Sequence, residues 1–239
     1  MSSFFMQGVL YDEGHDWPVA GVDEVGRGCV AGPVVACALV LPKGCKIEGV
    51  RDSKKLTKKM RSMLEKKIIA VCESYAFGVV DAKEIDESNI LVATLKAMSM
   101  AIRGLDISPK TVIVDGIHAP DCNNPSELAA SRVTVVCQKG GDSLSQTVAA
   151  ASILAKEHRD RMMVGFCEQF PEYGFSAHKG YGTKKHFEAI SLHGLCPLHR
   201  RTFLHKSELL LSQNMRTFAD ANVRFFSPAA SAFIFAVHS

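Results

Sequence analysis

Apolar residues in the first part of this chain come in short unbroken runs, and later in runs with helical spacing. Residues 18–25 (PVAGVDEV) and 33–41 (PVVACALVL) read as strands. The second is so rich in Val and small residues that both of its faces should be covered. A glycine-rich turn, 26–32, lies between them. At 57–72 the period changes: Met60, Leu64, Ile68 and Val71 share one helical face, with lysines on the others. Residues 75–80 read as a third strand. The segment 88–105 predicts a helix with a Ser start, Gly104 near its end and an apolar stripe of Leu91, Leu95, Met98 and Ile102. Residues 111–114 form a short strand running into Asp115-Gly116. Another strand is expected at 132–136 and a long helix, alanine-rich at its front, at 144–166. This order predicts a mixed α/β sheet with helices packed on it. Beyond residue 170 the chain turns loop-like and rich in Gly and His, then helical again. Residues 208–223 suggest one more helix. The expected division is a main domain over 1–170, a C-terminal segment of that domain over 171–206, and a tail, 207–239, to which the sequence assigns no role.

Composition narrows the class. With 239 residues, 47% hydrophobic and 22% charged, the chain can bury a sizeable core. The formal charge is only +3, so distribution matters more than the total. Residues 51–67 hold eight Lys/Arg against Asp52 and Glu65, and residues 176–206 hold six against Glu188, with five of the nine histidines. Two basic blocks on a nearly neutral chain suit a polyanion footprint, although solvated helix faces give the same pattern. The eight cysteines include no C-x-x-C pair, which argues against a zinc site and for buried reduced thiols. No secretory signal or membrane-length apolar run stands out, so a reducing cytoplasm is the expected compartment, with no membrane association. Nothing predicts an oligomer, and a monomer is expected.

The candidate chemistry lies in acids placed where acids are costly. Asp23 and Glu24 interrupt the apolar strand VAGVDEVG, and burying adjacent carboxylates requires a compensating cation or good hydrogen bonds. Strand neighbours point to opposite faces, so both acids can serve one site only if the chain bends near Gly26. Asp115 closes the strand TVIVDG, where α/β sheets commonly place their chemistry, although a plain turn residue fits too. Asp142, in KGGDS, reads on position alone as a helix cap or first-turn charge. Four such carboxylates form an oxygen donor set suited to Mg²⁺ or Mn²⁺. Two of these ions about 4 Å apart can clamp an in-line phosphoryl displacement without a covalent nucleophile. The turn GRGCVAGP departs from a dinucleotide fingerprint: its third glycine comes one residue late, and a strand follows instead of a helix. Its glycines still permit close backbone approach to a sugar or phosphate.

Five segments in order, GVDEVGRGCVAGPVVACALVLP, DSKKL, VDG, GDSLSQTVAAASILAKEHRDRM and YGFSAHKGYGT with HGLCPLHRRTF, resemble ribonuclease HII, the type 2 bacterial ribonuclease H. The similarity spans roughly residues 19–203. It implies a ribonuclease H-like mixed sheet flanked by helices, with a small C-terminal helical region. It also implies hydrolysis dependent on Mn²⁺ or Mg²⁺, with two ions in the catalytic complex. The implied substrates are RNA–DNA hybrids and duplex DNA containing single ribonucleotides, cut on the 5′ side to leave a 3′-hydroxyl and a 5′-phosphate. By motif position Asp23, Glu24, Asp115 and Asp142 are the family's catalytic, metal-holding acids, which displaces the cap reading of Asp142. Gly26, Arg27 and Gly28 fall on the segment that reads the ribose 2′-hydroxyl. Tyr181, which alone reads as a half-buried core aromatic, falls on a ring that stacks at the RNA-to-DNA junction. Lys54, Lys156, His178 and Lys179 are implied as phosphate contacts, which position a duplex without reading sequence. The type 3 enzyme lacks the GRG arginine that is present here as Arg27. The stretch HAPDCNNPSELAAS resembles an expanded loop, and the tail past Lys206 matches nothing in the pattern.

Overall fold

A computed structural model describes residues 3–50, 53, 56–121 and 133–204. Lys54, most of the 118–131 loop and the expected helix at 208–223 lie outside the described residues. The elements in chain order are α1 (Ser3–Glu13), β1 (Val19–Val25), β2 (Val34–Val40), α2 (Lys58–Val71), β3 (Ser74–Val80), α3 (Ala82–Glu87), α4 (Ile90–Arg103), β4 (Thr111–Asp115) and β5 (Thr134–Gln138). These are followed by α5 (Gln146–Gln169), α6 (Phe175–His178), α7 (Lys184–His193) and α8 (Arg201–Leu204). The five strands form one mixed sheet ordered β3-β2-β1-β4-β5, with β1 antiparallel to β2 and parallel to β4.

The unbroken apolar run of β2 has the expected cause. Successive side chains alternate between faces. Val34, Ala36, Ala38 and Val40 join Ala97, Met98, Ala101 and Ile102 of α4 on one side. Cys37 and Leu39 join Leu64 and Ile68 of α2 and the front of α5 on the other. Small residues set how closely the helices approach. A Cβ on Gly78 of β3 would stand 1.8 Å from the Ala97 carbonyl oxygen of α4. The alanines at the front of α5 are buried on all sides, which explains why no amphipathic stripe marks that part of the helix.

Three boundaries differ from the sequence expectation. The helix expected at 88–105 is α4, Ile90–Arg103, and the short helix α3 before it had no sequence counterpart. Asp81 caps α3 by accepting from the Glu84 amide at 2.9 Å. Asn89, not Ser88, caps α4, accepting from Leu91 and Val92 at 2.9 and 3.0 Å. The last strand covers Thr134–Gln138, shifted from 132–136, and its half-exposed pattern is that of a sheet edge. The N-terminal helix α1 had no sequence counterpart. Asp12 ties it to α5, accepting from the Thr147 amide at 3.0 Å and hydroxyl at 2.8 Å.

After α5 the chain folds back on it. Tyr173, Phe175 and Ile190 pack with Met163 of α5 and Ala31 of the glycine turn. Cys29, Cys37, Cys45, Cys72, Cys137, Cys167 and Cys196 are all unbridged. Among the described residues no helix is long and apolar enough to cross a membrane.

Candidate active site

The parallel pairing of β1 and β4 places Val22 opposite Val114, so the next residue on each strand, Asp23 and Asp115, reaches the same sheet end. Asp142 arrives from the tight 3-10 turn Gly141–Ser143 between β5 and α5. That turn is tied to β4: the Gly141 amide donates to Asp115 Oδ1 at 2.9 Å. One carboxylate oxygen from each of Asp23, Asp115 and Asp142 lies within 4.8 Å of the others. Asp142 does not cap the helix. Ser145 does, accepting from the Val148 amide at 3.0 Å.

Asp23 is 5% exposed, and its carboxyl is pushed well above the usual carboxylate range. Burial is the main cause, followed by the like charges of Glu24 and Asp115. Hydrogen bonds from Ser152 and from the Glu24 amide act the other way. Two buried aspartates facing a third repel one another as charged groups. A divalent cation would offset that repulsion, so the cluster fits a hard metal with oxygen ligands. Ser152 Oγ also shares a 2.9 Å hydrogen bond with Ser53 Oγ, linking the DSKKL segment to the floor of the site. Sequence reading missed both serines, because a serine inside a motif carries no pattern of its own.

Glu24 behaves as strand alternation requires. It is not one of the three acids that meet within 4.8 Å, and its Oε1 pairs with Arg27 Nη1 at 3.4 Å. The expected bend at Gly26 does not bring it into that group, although its charge still acts on Asp23.

The glycines of the turn do different jobs. Gly26 has φ +96°, and a Cβ there would stand 2.3 Å from Arg159 Nε and 2.8 Å from the Pro33 carbonyl oxygen. Gly28 meets nothing within 4 Å, so the fold itself has no need for a bare backbone there. The turn's carbonyls are gathered inward by two buried guanidinium groups. Arg200 donates to Arg27 O at 3.0 Å and to Gly32 O at 3.0 and 2.8 Å. Arg159 donates to Pro33 O at 2.9 Å, Ala31 O at 3.2 Å and Lys179 O at 2.8 Å. Burial lowers Arg200 to about 10, which leaves it charged at neutral pH. Neither arginine forms an ion pair among the described residues. Sequence reading missed both.

Tyr181 stands 42% exposed beside this turn. It follows Lys179, whose φ of 53° is left-handed, and Gly180, whose carbonyl accepts from the Val30 and Ala31 amides at 2.9 and 3.2 Å. Lys179 Nζ donates to the Ser176 carbonyl. Burial, with Lys58 and Lys156 nearby, lowers its pKa, and Asp160 opposes this. Lys156 itself pairs with Asp160 at 2.7 Å. His178 uses both ring nitrogens internally, toward Tyr173 O at 2.8 Å and the Gly180 amide at 3.2 Å. Both nitrogens are thus engaged within the protein, and the phosphate contact expected at His178 would require one of these bonds to open.

A mixed five-stranded sheet with aspartates gathered at the ends of its central strands defines a nuclease hydrolase of the ribonuclease H class. The ribonuclease H2 of Pyrococcus horikoshii superposes with a TM-score of 0.62 at 32% identity, over 80% of this chain and 94% of that one. The ribonuclease HII in a PCNA complex from Archaeoglobus fulgidus gives 0.60 at 27%, over 77% and 93%. Bst-RNase HIII in complex with Mn²⁺ gives 0.61 at 19%, over 80% and 67%, a likeness of fold. The family described as Ribonuclease HII matches residues 20–206, and this chain belongs to it. The ribonuclease HII of Geotalea daltonii is 49% identical over 185 residues, covering 77% of this chain and 82% of its own length. That of Endomicrobium trichonymphae is 45% identical over 204 residues, covering 84% and 91%.

Proposed function

We propose that this protein is an endonuclease that hydrolyses the RNA strand of RNA–DNA hybrids and nicks duplex DNA on the 5′ side of single ribonucleotides, leaving a 3′-hydroxyl and a 5′-phosphate. The observation that carries this reading is the meeting of Asp23, Asp115 and Asp142 within 4.8 Å beside an open glycine turn. Asp23, Asp115 and Asp142 would hold Mn²⁺ or Mg²⁺. Glu24 would join them on substrate binding, when Arg27 turns to the nucleic acid. Two such ions supply charge stabilisation at the attacking and leaving oxygens of an in-line displacement.

The remaining residues select and align the duplex. Gly26, Arg27 and Gly28 read the ribose 2′-hydroxyl: the carbonyls of this turn are bound inward, and Gly28 faces space that only a close ligand would fill. Tyr181 stacks on the sugar after the scissile ribonucleotide. Lys156 and Lys179 contact phosphates, and the same role is proposed for Lys54. The segment 171–206 acts as the substrate-binding part of a catalytic domain that begins with 1–170, and the protein works as a monomer in the cytoplasm.

The test is incubation of purified protein with a DNA duplex containing one ribonucleotide, and with a continuous hybrid, in Mg²⁺, Mn²⁺ or chelator. A single metal-dependent nick 5′ to the ribonucleotide, with cleavage of the hybrid, is expected. Binding without a nick in either metal would overturn the reading.

A further inference from the structure

The peptide of Tyr181 is held from behind by a chain of histidines that no catalytic step uses. The Tyr181 carbonyl accepts from the Thr183 amide at 2.8 Å and also faces His186 Nδ1 at 2.9 Å. A carbonyl has no proton to give, so Nδ1 of His186 carries one and its Nε2 is bare. That bare nitrogen lies 3.1 Å from Nε2 of His199. At the other end of the chain, His199 Nδ1 faces the Cys196 amide at 3.0 Å. The Cys196 carbonyl lies 3.3 Å from the same nitrogen but already accepts from the His199 amide at 3.1 Å. The bare Nε2 of His186 needs a donor, so Nε2 of His199 carries the proton and its Nδ1 accepts from the closer Cys196 amide. The Tyr181 carbonyl thereby sets the tautomer of His186, and His186 together with the Cys196 amide sets that of His199. Protons point one way, from the Cys196 amide through His199 and His186 to the Tyr181 carbonyl.

The surroundings agree with this assignment. His186 and His199 are 0% and 3% exposed. Burial pushes both down to about 4, so both are neutral near pH 7. The Cys196 thiol lies 3.2 Å from His199 Nδ1, and burial pushes it up to about 12, which keeps its proton available as a second donor. The ionisable groups facing the pair are His178, stacked on His186 with centroids 4.2 Å apart, Tyr173, edge-on to His199 at 4.8 Å, and Cys196. Phe175 and Phe187 complete the wall. His178 braces the start of the same turn through the Gly180 amide. A non-glycine residue in the left-handed region, as Lys179 is, persists only where its neighbours over-determine the backbone, and this turn has such neighbours.

We propose that His186 and His199 are positioning residues for Tyr181. The neutral, single-tautomer chain sets the Tyr181 peptide, and through it the angle at which the ring meets the nucleic acid. The inference rests on the reading of Tyr181 as the junction-stacking ring. It adds a buried element to specificity, reached through Tyr181 and not through substrate.

The experiment measures the preference for a single ribonucleotide over a continuous hybrid, as a ratio of kcat/KM values, in four variants. Tyr181→Ala should lower the ratio. His186→Leu, which removes the donor, should lower it by about tenfold, the equivalent of one lost buried hydrogen bond. His186→Asn, whose amide nitrogen can replace Nδ1, should restore most of it. Tyr181→Ala combined with His186→Leu should fall no lower than Tyr181→Ala alone. An unchanged ratio in His186→Leu alongside a lowered one in Tyr181→Ala overturns this inference and leaves the stacking reading standing. Equal losses in His186→Leu and His186→Asn, or an additive loss in the double variant, also overturn it. An unchanged ratio in Tyr181→Ala overturns both. Should His186→Leu fail to fold, the wild-type imidazole ¹⁵N shifts decide: Nδ1–H at His186 and Nε2–H at His199 support the chain, and the opposite tautomers overturn it.

Discussion

Gly21 of β1 and Thr147 of α5 meet main chain to main chain: a Cβ on Gly21 would stand 2.4 Å from the Thr147 carbonyl carbon. Gly21 lies just before Asp23 on its strand, and Thr147 follows Asp142 into its helix, so this approach sets the spacing of two of the clustered acids. Gly21→Ala should destabilise the fold by about 1–3 kcal/mol or more, because backbone cannot yield as a side-chain tip can. It should lower cleavage along with stability. Denaturant unfolding and a hybrid-cleavage assay check this, and an unchanged midpoint would mean that helix and strand have room to spare.

Asp23→Asn separates binding from chemistry. Hybrid binding should survive, while cleavage should fall by at least the roughly 10–100-fold that losing a metal site's outer partner costs. A variant that cleaves like the wild type would remove Asp23 from the metal-holding set.

The same substitution should stabilise the metal-free protein. The Asp23 carboxyl is raised in the folded state. Between its unfolded and folded pKa values the native state therefore binds more protons, and stability falls as pH rises through that window. Above the unfolded value the metal-free wild type carries a penalty that Asp23→Asn does not. Thermal midpoints in chelator should be higher for the variant. Added Mn²⁺ should raise the wild type more than the variant, by mass action on a site only the native state holds.

His186 and His199 give the opposite pH trend. Their folded pKa values, about 4, lie below the ordinary histidine value of 6.5. Stability from neutral burial is complete above about pH 6.5 and is lost as pH falls from there toward 4. Midpoints measured from pH 7 to 4 should drop, and drop less in His186→Asn. Equal slopes in the two proteins would place the acid sensitivity elsewhere.

Lys179→Ala and Lys156→Ala should weaken binding to hybrid and to ribonucleotide-containing duplex alike. Each should reduce the slope of log K against log salt by about one, the loss of a single phosphate contact. A substitution that changed the preference between substrates without changing the slope would show that its lysine does more than contact phosphate.

What the sequence showed and what it hid follow from range of interaction. The first four strands, the two-faced burial of β2 and the positions of Asp23 and Asp115 near strand ends come from local pattern and match the structure. The family segments placed Asp142 in the site where its position suggested a cap, and Ser145 holds the cap instead. The helix expected at 88–105 is α4, capped by Asn89 one residue later than expected, while α3 escaped because six residues are too few to show a helical period. Helix α1 lacks a strong apolar face and is tied down by Asp12 against Thr147, a contact between distant parts of the chain. Arg159 sits among charges in KEHRDRM and Arg200 in HRR, where each reads as a solvated cation. Their partners are carbonyls far away in sequence, which no periodicity marks. Glu24 followed strand alternation where a bend was expected.

Those two arginines have an electrical consequence. Carbonyl dipoles solvate Arg159 and Arg200 much as water would, and dipoles do not cancel a net charge. Two positive monopoles therefore lie directly beneath the turn proposed to read ribose, out of reach of direct contact. Their field emerges there and adds to that of the surface lysines, so a polyanion approaching this face is attracted before any side chain touches it. Unlike the lysines, these interior charges occupy no place on the duplex and compete with no groove contact.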